Sequence, residues 1–229
     1  MMQDAIVWGS LIIKYNWIAI AFSVLSAYMA MKFWLKDKVD ISKPILEDIT
    51  NVFFWAFIIW KFSVIIFNPV SVINNPYYFL YFSGGKRGIL LAAIAVLILL
   101  IIQSRKRKIT LWMYAAVLSV GFLSYKLVYS LFKLFFNYPQ SFAYDLSQIV
   151  LAIVLLIWLY SRKESFGKPN EIYQLILWFS MGQIFSYFLN SFNTAMLLGF
   201  SFEQLIFLAI ALGCLLIPIF AKKKSFNES

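Results

Sequence analysis

The sequence contains no histidine, so the side chain that proteins use most often as a general base or metal ligand is missing. The one cysteine, Cys214, cannot form an intrachain disulfide, and its place in an apolar run favours packing over chemistry. The spacing of ligand residues that marks a metal site is also absent. We therefore predict no metal site and no cofactor.

Acidic residues are scarce: ten Asp and Glu face twenty Lys and Arg, and the net charge is +10. In a soluble protein this excess would indicate nucleic acid binding. However, 62% of the residues are hydrophobic and 20% are aromatic, whereas soluble domains contain roughly 45–50% apolar residues. The composition therefore predicts a membrane protein that contacts anionic lipid rather than nucleic acid.

Seven long apolar runs follow one another along the chain, and each is close to the roughly 20 residues that a bilayer crossing needs. Because these runs do not alternate polar and apolar positions, helices are expected rather than strands. The sequence predicts an all-α polytopic bundle that forms one domain over residues 1–229. Its spans lie at about Tyr15–Phe33, Ile49–Phe67, Gly88–Ile102, Leu111–Phe136, Phe142–Tyr160, Ile172–Leu189 and Phe202–Phe220.

The basic residues are concentrated in alternate loops. The loops after the first, third, fifth and seventh runs hold four, four, three and three Lys or Arg, which is fourteen of the twenty. The loops between them hold almost none. Since basic loops stay in the cytoplasm, this alternation predicts seven spans with the N-terminus outside and the C-terminus in the cytoplasm.

Six cations fall outside the basic loops, and this topology places them in the outer half of the membrane or at its outer face. They are Lys14, Lys61, Lys86, Arg87, Lys126 and Lys133. Ionisable residues at this depth are costly and by default mark a functional cavity, here one suited to an anionic lipid headgroup. The alternative is that the side chains snorkel to the interface, which we favour for Lys14 and Lys133. For Lys61 and Lys126, which are set deeper, we expect a partner inside the bundle.

The stretch Phe82–Gly88, with sequence FSGGKRG, places three glycines and two cations at the start of the third run. Glycine allows the backbone to approach a ligand or another helix closely. Lys86 and Arg87 lie at the positive end of the helix dipole and destabilise the helix unless a negative group lies close to them. A phospholipid phosphate would supply that group, and the alternative is again snorkelling to the interface.

This stretch resembles the Phe-His-Gly-Gly-x-x-Gly motif of the prolipoprotein diacylglyceryl transferases. Further short similarities to that family follow in the same order along most of the chain, at Ile13–Trp17, Trp60–Phe62, Asn68-Pro69, Tyr138-Pro139 with Tyr144-Asp145, and Glu203–Leu205. The resemblance implies the family's seven-span fold in the bacterial cytoplasmic membrane, phosphatidylglycerol as the bound phospholipid, and a lipoprotein precursor or another membrane protein as partner. The implied lipid-phosphate contacts are Lys61, Ser83, Gly84, Gly85, Lys86, Arg87 and Lys126.

The motifs that carry the family's chemistry have changed in this sequence. Ser83 stands where the motif has histidine, and Lys126 is at best the counterpart of the signature arginine. Three charges expected in the sixth span are replaced by neutral groups within Gln183–Asn190. The family transfers diacylglyceryl to a lipoprotein cysteine, a reaction that requires help in deprotonating a thiol. The weak catalytic candidates that remain are Lys126, Asp145 and Glu203.

We therefore interpret the chain as a divergent relative of these transferases that binds phospholipid, with diacylglyceryl transfer weak, altered or lost. Two alternatives come from other classes of protein. One is a non-catalytic scaffold or partner for another membrane protein. The other is the substrate-binding subunit of a small-molecule importer, which only the size and the number of spans suggest.

Overall fold

The computed structural model describes residues 5–8, 11–37, 39–75, 77, 84–136, 142–164, 167–190, 196 and 199–227. The described residues form eight helices, which confirms the predicted helical class. They are α1 (Tyr15–Trp34), α2 (Val39–Phe67), α3 (Pro69–Asn74), α4 (Gly85–Arg107), α5 (Leu111–Phe136), α6 (Phe142–Ser161), α7 (Pro169–Phe188) and α8 (Phe202–Asn227).

The helix boundaries follow the predicted spans except at the charged ends. α2 begins at Val39 rather than at Ile49, and α4 continues past Ile102 to Arg107. Hydropathy marks the stretch that lipid can surround, whereas a helix continues for as long as its backbone is satisfied. The three basic residues in the last turn of α4 also favour its C-terminal end, because cations stabilise the negative end of the helix dipole.

Five of the described helices are long and apolar enough to cross a membrane: Tyr15–Trp34, Ile41–Phe67, Gly85–Arg107, Leu111–Phe135 and Phe142–Ser161. Large apolar side chains lie exposed on their surfaces, among them Phe33 and Ile66. Exposed apolar surface on this scale needs lipid around it. The protein is therefore a multi-pass membrane protein. The two remaining predicted spans do not meet the same criterion, since α7 is more polar and the described apolar part of α8 is Phe202–Leu216.

A short hairpin precedes α1 and was not predicted. Strand β1 (Ala5–Trp8) pairs antiparallel with β2 (Leu11–Lys14), with Ala5 opposite Lys14 and Trp8 opposite Leu11. Both strands are rich in β-branched residues, which fit an extended backbone, and only two residues separate them.

The chain divides into two compact units: unit 1 contains Met1–Trp34 and Ala115–Ser229, and unit 2 contains Leu35–Tyr114. The single domain expected from the resemblance stays a prediction. In unit 2, α2 packs along α4. The buried apolar residues of unit 2 include Leu35, Ile45 and Val64, each with 0% of its surface exposed.

In unit 1, α7 packs against both α6 and α8. A capping box begins α8, because the Ser201 backbone N–H donates to Gln204 Oε1 at 2.8 Å and the Gln204 N–H donates to Ser201 Oγ at 3.3 Å. Gln204 Nε2 also donates to the carbonyl of Ile184 on α7 at 3.1 Å. Gln204 therefore joins the start of α8 to the C-terminal part of α7.

Candidate functional site

The glycines of the FSGGKRG stretch bring the start of α4 against α2 in unit 2. The Gly84 N–H donates to the Trp60 carbonyl at 3.3 Å, and the Ser63 hydroxyl donates to the same carbonyl at 2.7 Å. A Cβ built on either Gly84 or Gly88 would overlap the Ser63 hydroxyl. The expected close approach is therefore made to another helix, and glycine at these two positions permits it.

Lys86 and Arg87 follow in the first turn of α4, and both are exposed. Neither forms an ion pair with a residue that the structure describes. The first turn of α4 contains no acidic residue, so the positive helix end is not neutralised locally. Lys61 lies on α2 next to Trp60 and is partly exposed. The remaining member of the stretch, Ser83, lies outside the described residues.

A second polar contact in unit 2 lies at the opposite end of α4. The Asp48 side chain is 1% exposed and accepts a hydrogen bond from the Tyr114 hydroxyl at 2.6 Å. Its other carboxylate oxygen lies 3.4 Å from Nη2 of Arg107, which also reaches Glu47 at 3.7 Å. Both oxygens of this buried carboxylate are therefore occupied by donors, one of them charged.

Lys126 belongs to unit 1, where its contacts are with neutral groups. Its ammonium donates to Gln148 Oε1 at 2.5 Å and lies 5.8 Å from the centre of the Phe179 ring. Gln148 and Gln183 are joined by two hydrogen bonds, from Gln183 Nε2 to Gln148 Oε1 at 2.8 Å and from Gln148 Nε2 to Gln183 Oε1 at 3.2 Å. Lys126, Gln148 and Gln183 form what we call the amide cluster.

The partner expected for Lys126 inside the bundle is thus an amide rather than a carboxylate. No carboxylate among the described residues lies within ion-pair distance of its ammonium. Both amides are almost completely buried, Gln148 at 3% exposure and Gln183 at 1%. The cluster therefore holds a positive charge among neutral partners inside a membrane protein, which is costly unless a ligand compensates it.

Lys133 lies two helical turns beyond Lys126 on α5 and does pair with a carboxylate. Its ammonium is 3.2 Å from Oδ1 of Asp145, whose side chain is 3% exposed. The other oxygen, Asp145 Oδ2, is buried and has no hydrogen-bond partner among the described residues. The sequence favoured snorkelling to the interface for Lys133. In the structure its side chain also forms an ion pair with Asp145.

The three weak catalytic candidates do not form one compact group among the described residues of unit 1. Lys126 on α5 and Asp145 on α6 are bonded to different partners, Gln148 and Lys133. Glu203 is exposed in the first turn of α8, where a carboxylate favours the positive helix end. Their catalytic roles, and the assignment of Lys126 to a lipid phosphate, stay predictions.

The sequence did not indicate most of the residues that complete these contacts. Gln148 lies within an apolar run three residues after Asp145, and a polar side chain in such a run is itself a signal of function. Asp48 was placed before the second span, although the helix already includes it. Its pairing with Tyr114 joins positions far apart in the chain, and no spacing in the sequence indicates it.

Within the described part of the chain, no group of three or more His, Cys, Asp or Glu is arranged to hold a metal ion. Cys214 is a free, buried thiol on α8. The sequence matches no family model, and neither the curated proteins nor the solved structures contain a significant match to it.

Proposed function

We propose that the protein is a divergent relative of the prolipoprotein diacylglyceryl transferases that binds a phospholipid, phosphatidylglycerol above all. In this proposal it crosses the bacterial cytoplasmic membrane seven times, with its N-terminus outside and its C-terminus in the cytoplasm. The alternation of basic loops supports this orientation. Diacylglyceryl transfer is weak, altered or lost, because the family's histidine is replaced by Ser83.

One observation carries the lipid-binding part of the proposal. Lys86 and Arg87 are exposed on the first turn of α4, directly between the two glycines that seat this turn against α2. A turn that is held against α2 and presents two cations, neither of them paired with a carboxylate of the described residues, suits a phosphate group, which accepts charge-assisted hydrogen bonds from both. The positive end of α4 adds to the same attraction.

The test is the amount of phosphatidylglycerol that co-purifies with the protein, measured by native mass spectrometry. A charge-assisted contact contributes roughly 1.5–3 kcal/mol, so we expect binding to weaken by at least about tenfold for each side chain lost in Lys86→Ala with Arg87→Ala. The matched control is Arg105→Ala with Lys106→Ala, which removes two exposed cations from the other end of the same helix. An equal loss of lipid in both variants would contradict the proposal.

The reduced chemistry is tested separately. We expect that the protein does not replace an authentic diacylglyceryl transferase in a depleted strain, because general-base catalysis is typically worth about 10²–10⁴-fold in rate. The direct measurement is transfer of labelled diacylglyceryl to a lipobox peptide in proteoliposomes, with an authentic transferase as the positive control. Robust transfer that Lys126→Ala abolishes would show that the chemistry had been rebuilt around lysine.

A further inference from the structure

The hydrogen bonds of the amide cluster leave it with more donors than acceptors. An ammonium has three N–H groups and a side-chain amide has two, while each amide oxygen accepts two bonds. The three bonds described above use one N–H of Lys126, one of Gln148 and one of Gln183. They also fill both acceptor positions of Gln148 Oε1. Four N–H groups and a single acceptor position on Gln183 Oε1 therefore remain within this cluster.

The amide cluster also carries a net positive charge. Lys126 contributes one positive charge, and Gln148 and Gln183 contribute none. Asp145, three residues before Gln148 on α6, is paired through Oδ1 with Lys133 at 3.2 Å. A group that only accepts hydrogen bonds and carries one negative charge would satisfy both requirements, and an ionised carboxylate is such a group.

A cavity of about 280 Å³ lies between α5 and α7 of unit 1, and Phe179 relates it to the cluster. Phe179 belongs to both features, since its ring lines the cavity and also lies 5.8 Å from the Lys126 ammonium. The other lining residues are apolar apart from one hydroxyl, and they are Leu118, Ser119, Phe122, Leu123, Leu175 and Ile176. The rings of Phe122 and Phe179 meet edge to face at 5.6 Å.

We propose that unit 1 binds a small apolar monocarboxylate, with its carboxylate at the amide cluster and its apolar body in this cavity. An apolar cavity with a few convergent polar groups is the usual form of a small-molecule site. The volume lies just below the usual range for such sites, roughly 300–1,000 Å³, which favours a compact solute over a diacyl lipid. Charge complementarity with Lys126 selects the acid over its neutral analogues.

This inference goes beyond the phospholipid contact proposed for unit 2 and does not depend on it. It is compatible with the alternative of a small-molecule importer subunit. The resemblance assigned Lys126 to lipid phosphate, but the phospholipid contact tested above rests on Lys86 and Arg87, so each idea can fail alone. Loss of phosphatidylglycerol on changing Lys86 and Arg87 bears only on the first, and carboxylate binding bears only on the second.

The experiment measures binding of 4-phenylbutyrate by calorimetry, with the protein in nanodiscs of zwitterionic lipid. We expect the acid to bind at least about tenfold more tightly than 4-phenylbutyramide, which has the same shape without the charge. Gln148→Glu should weaken binding of the acid by about tenfold or more, because it supplies Lys126 with an internal carboxylate. Ser119→Leu should also weaken binding by filling the cavity while leaving the cluster unchanged.

The matched control is Gln174→Glu, the same substitution on α7 of the same unit, at an exposed residue beside Arg162. Its affinity for the acid should equal that of the unchanged protein. The proposal is overturned if the amide binds as tightly as the acid, or if Gln174→Glu weakens binding as much as Gln148→Glu. Tight binding of oleate without binding of phenylbutyrate would also overturn it, because the occupant would then be a membrane fatty acid.

Discussion

The buried carboxylates of the two units are satisfied to different degrees. In unit 2, the Asp48 carboxylate receives the Tyr114 hydroxyl on one oxygen and lies near the Arg107 guanidinium on the other. Among the described residues of unit 1, Asp145 has a partner on one oxygen only, and Lys126 is bonded to an amide. A fully satisfied polar contact specifies structure, whereas a partly satisfied one is where a ligand can contribute. The contrast separates a structural contact from a candidate binding site.

The largest effect that tests this contrast is expected from the two buried aspartates. Asp48→Ala leaves the buried Tyr114 hydroxyl without its acceptor, which costs roughly 1–3 kcal/mol, and it also removes the contact with Arg107, which is 40% exposed. Asp145→Ala should cost less, about 1 kcal/mol, because Lys133 is 34% exposed and can reach the interface once its partner is gone. The measurement is the temperature at which each detergent-solubilised variant loses its monodisperse chromatographic peak.

A similar loss of stability in the two variants would mean that the polar contacts of both units are equally structural. That result would remove the distinction on which the comparison rests. Asp48→Asn is a useful second variant, since it keeps one oxygen for Tyr114 while removing the charge that faces Arg107. It should be less destabilising than Asp48→Ala.

A smaller effect is expected from the helix contact that seats the FSGGKRG turn. Gly88→Leu would place a side chain against Ser63 and the Trp60 carbonyl, and overpacking a close contact costs roughly 1–3 kcal/mol. Gly213→Leu on α8 is the matched control, because a Cβ at Gly213 meets nothing within 4 Å. The same thermal measurement should show destabilisation for Gly88→Leu only, and equal behaviour of the two variants would contradict the close approach.

The sequence predicted the helices far better than the contacts between them. α1, α5, α6 and α8 begin at the expected Tyr15, Leu111, Phe142 and Phe202, because charges, prolines and turn-forming residues mark where apolar runs begin. α2 was placed ten residues too late, since its first turns carry charge and Pro44, and an apolar window excludes both. The hairpin at Ala5–Lys14 was missed because four-residue strands are too short for a periodic signal.

The candidate sites were predicted only in part for a related reason. Lys126 and Asp145 stood out because charge is rare in a membrane span, and the Gly84–Arg87 turn stood out because glycines and cations lie side by side there. Their partners depend on how each helix is rotated against its neighbour, and one sequence does not encode that rotation in any local pattern. Gln148 and Gln183, for example, lie 35 residues apart and meet only because α6 and α7 pack with matching faces.

The buried thiol of Cys214 gives the molecule a built-in reporter. It is the one cysteine in the chain, and it lies on α8 within unit 1. A fluorogenic maleimide that enters the membrane would therefore label the unmodified protein only when unit 1 opens. Labelling rate and tryptophan emission followed in one heated sample would then show whether the two units melt together or in sequence, without any engineered probe.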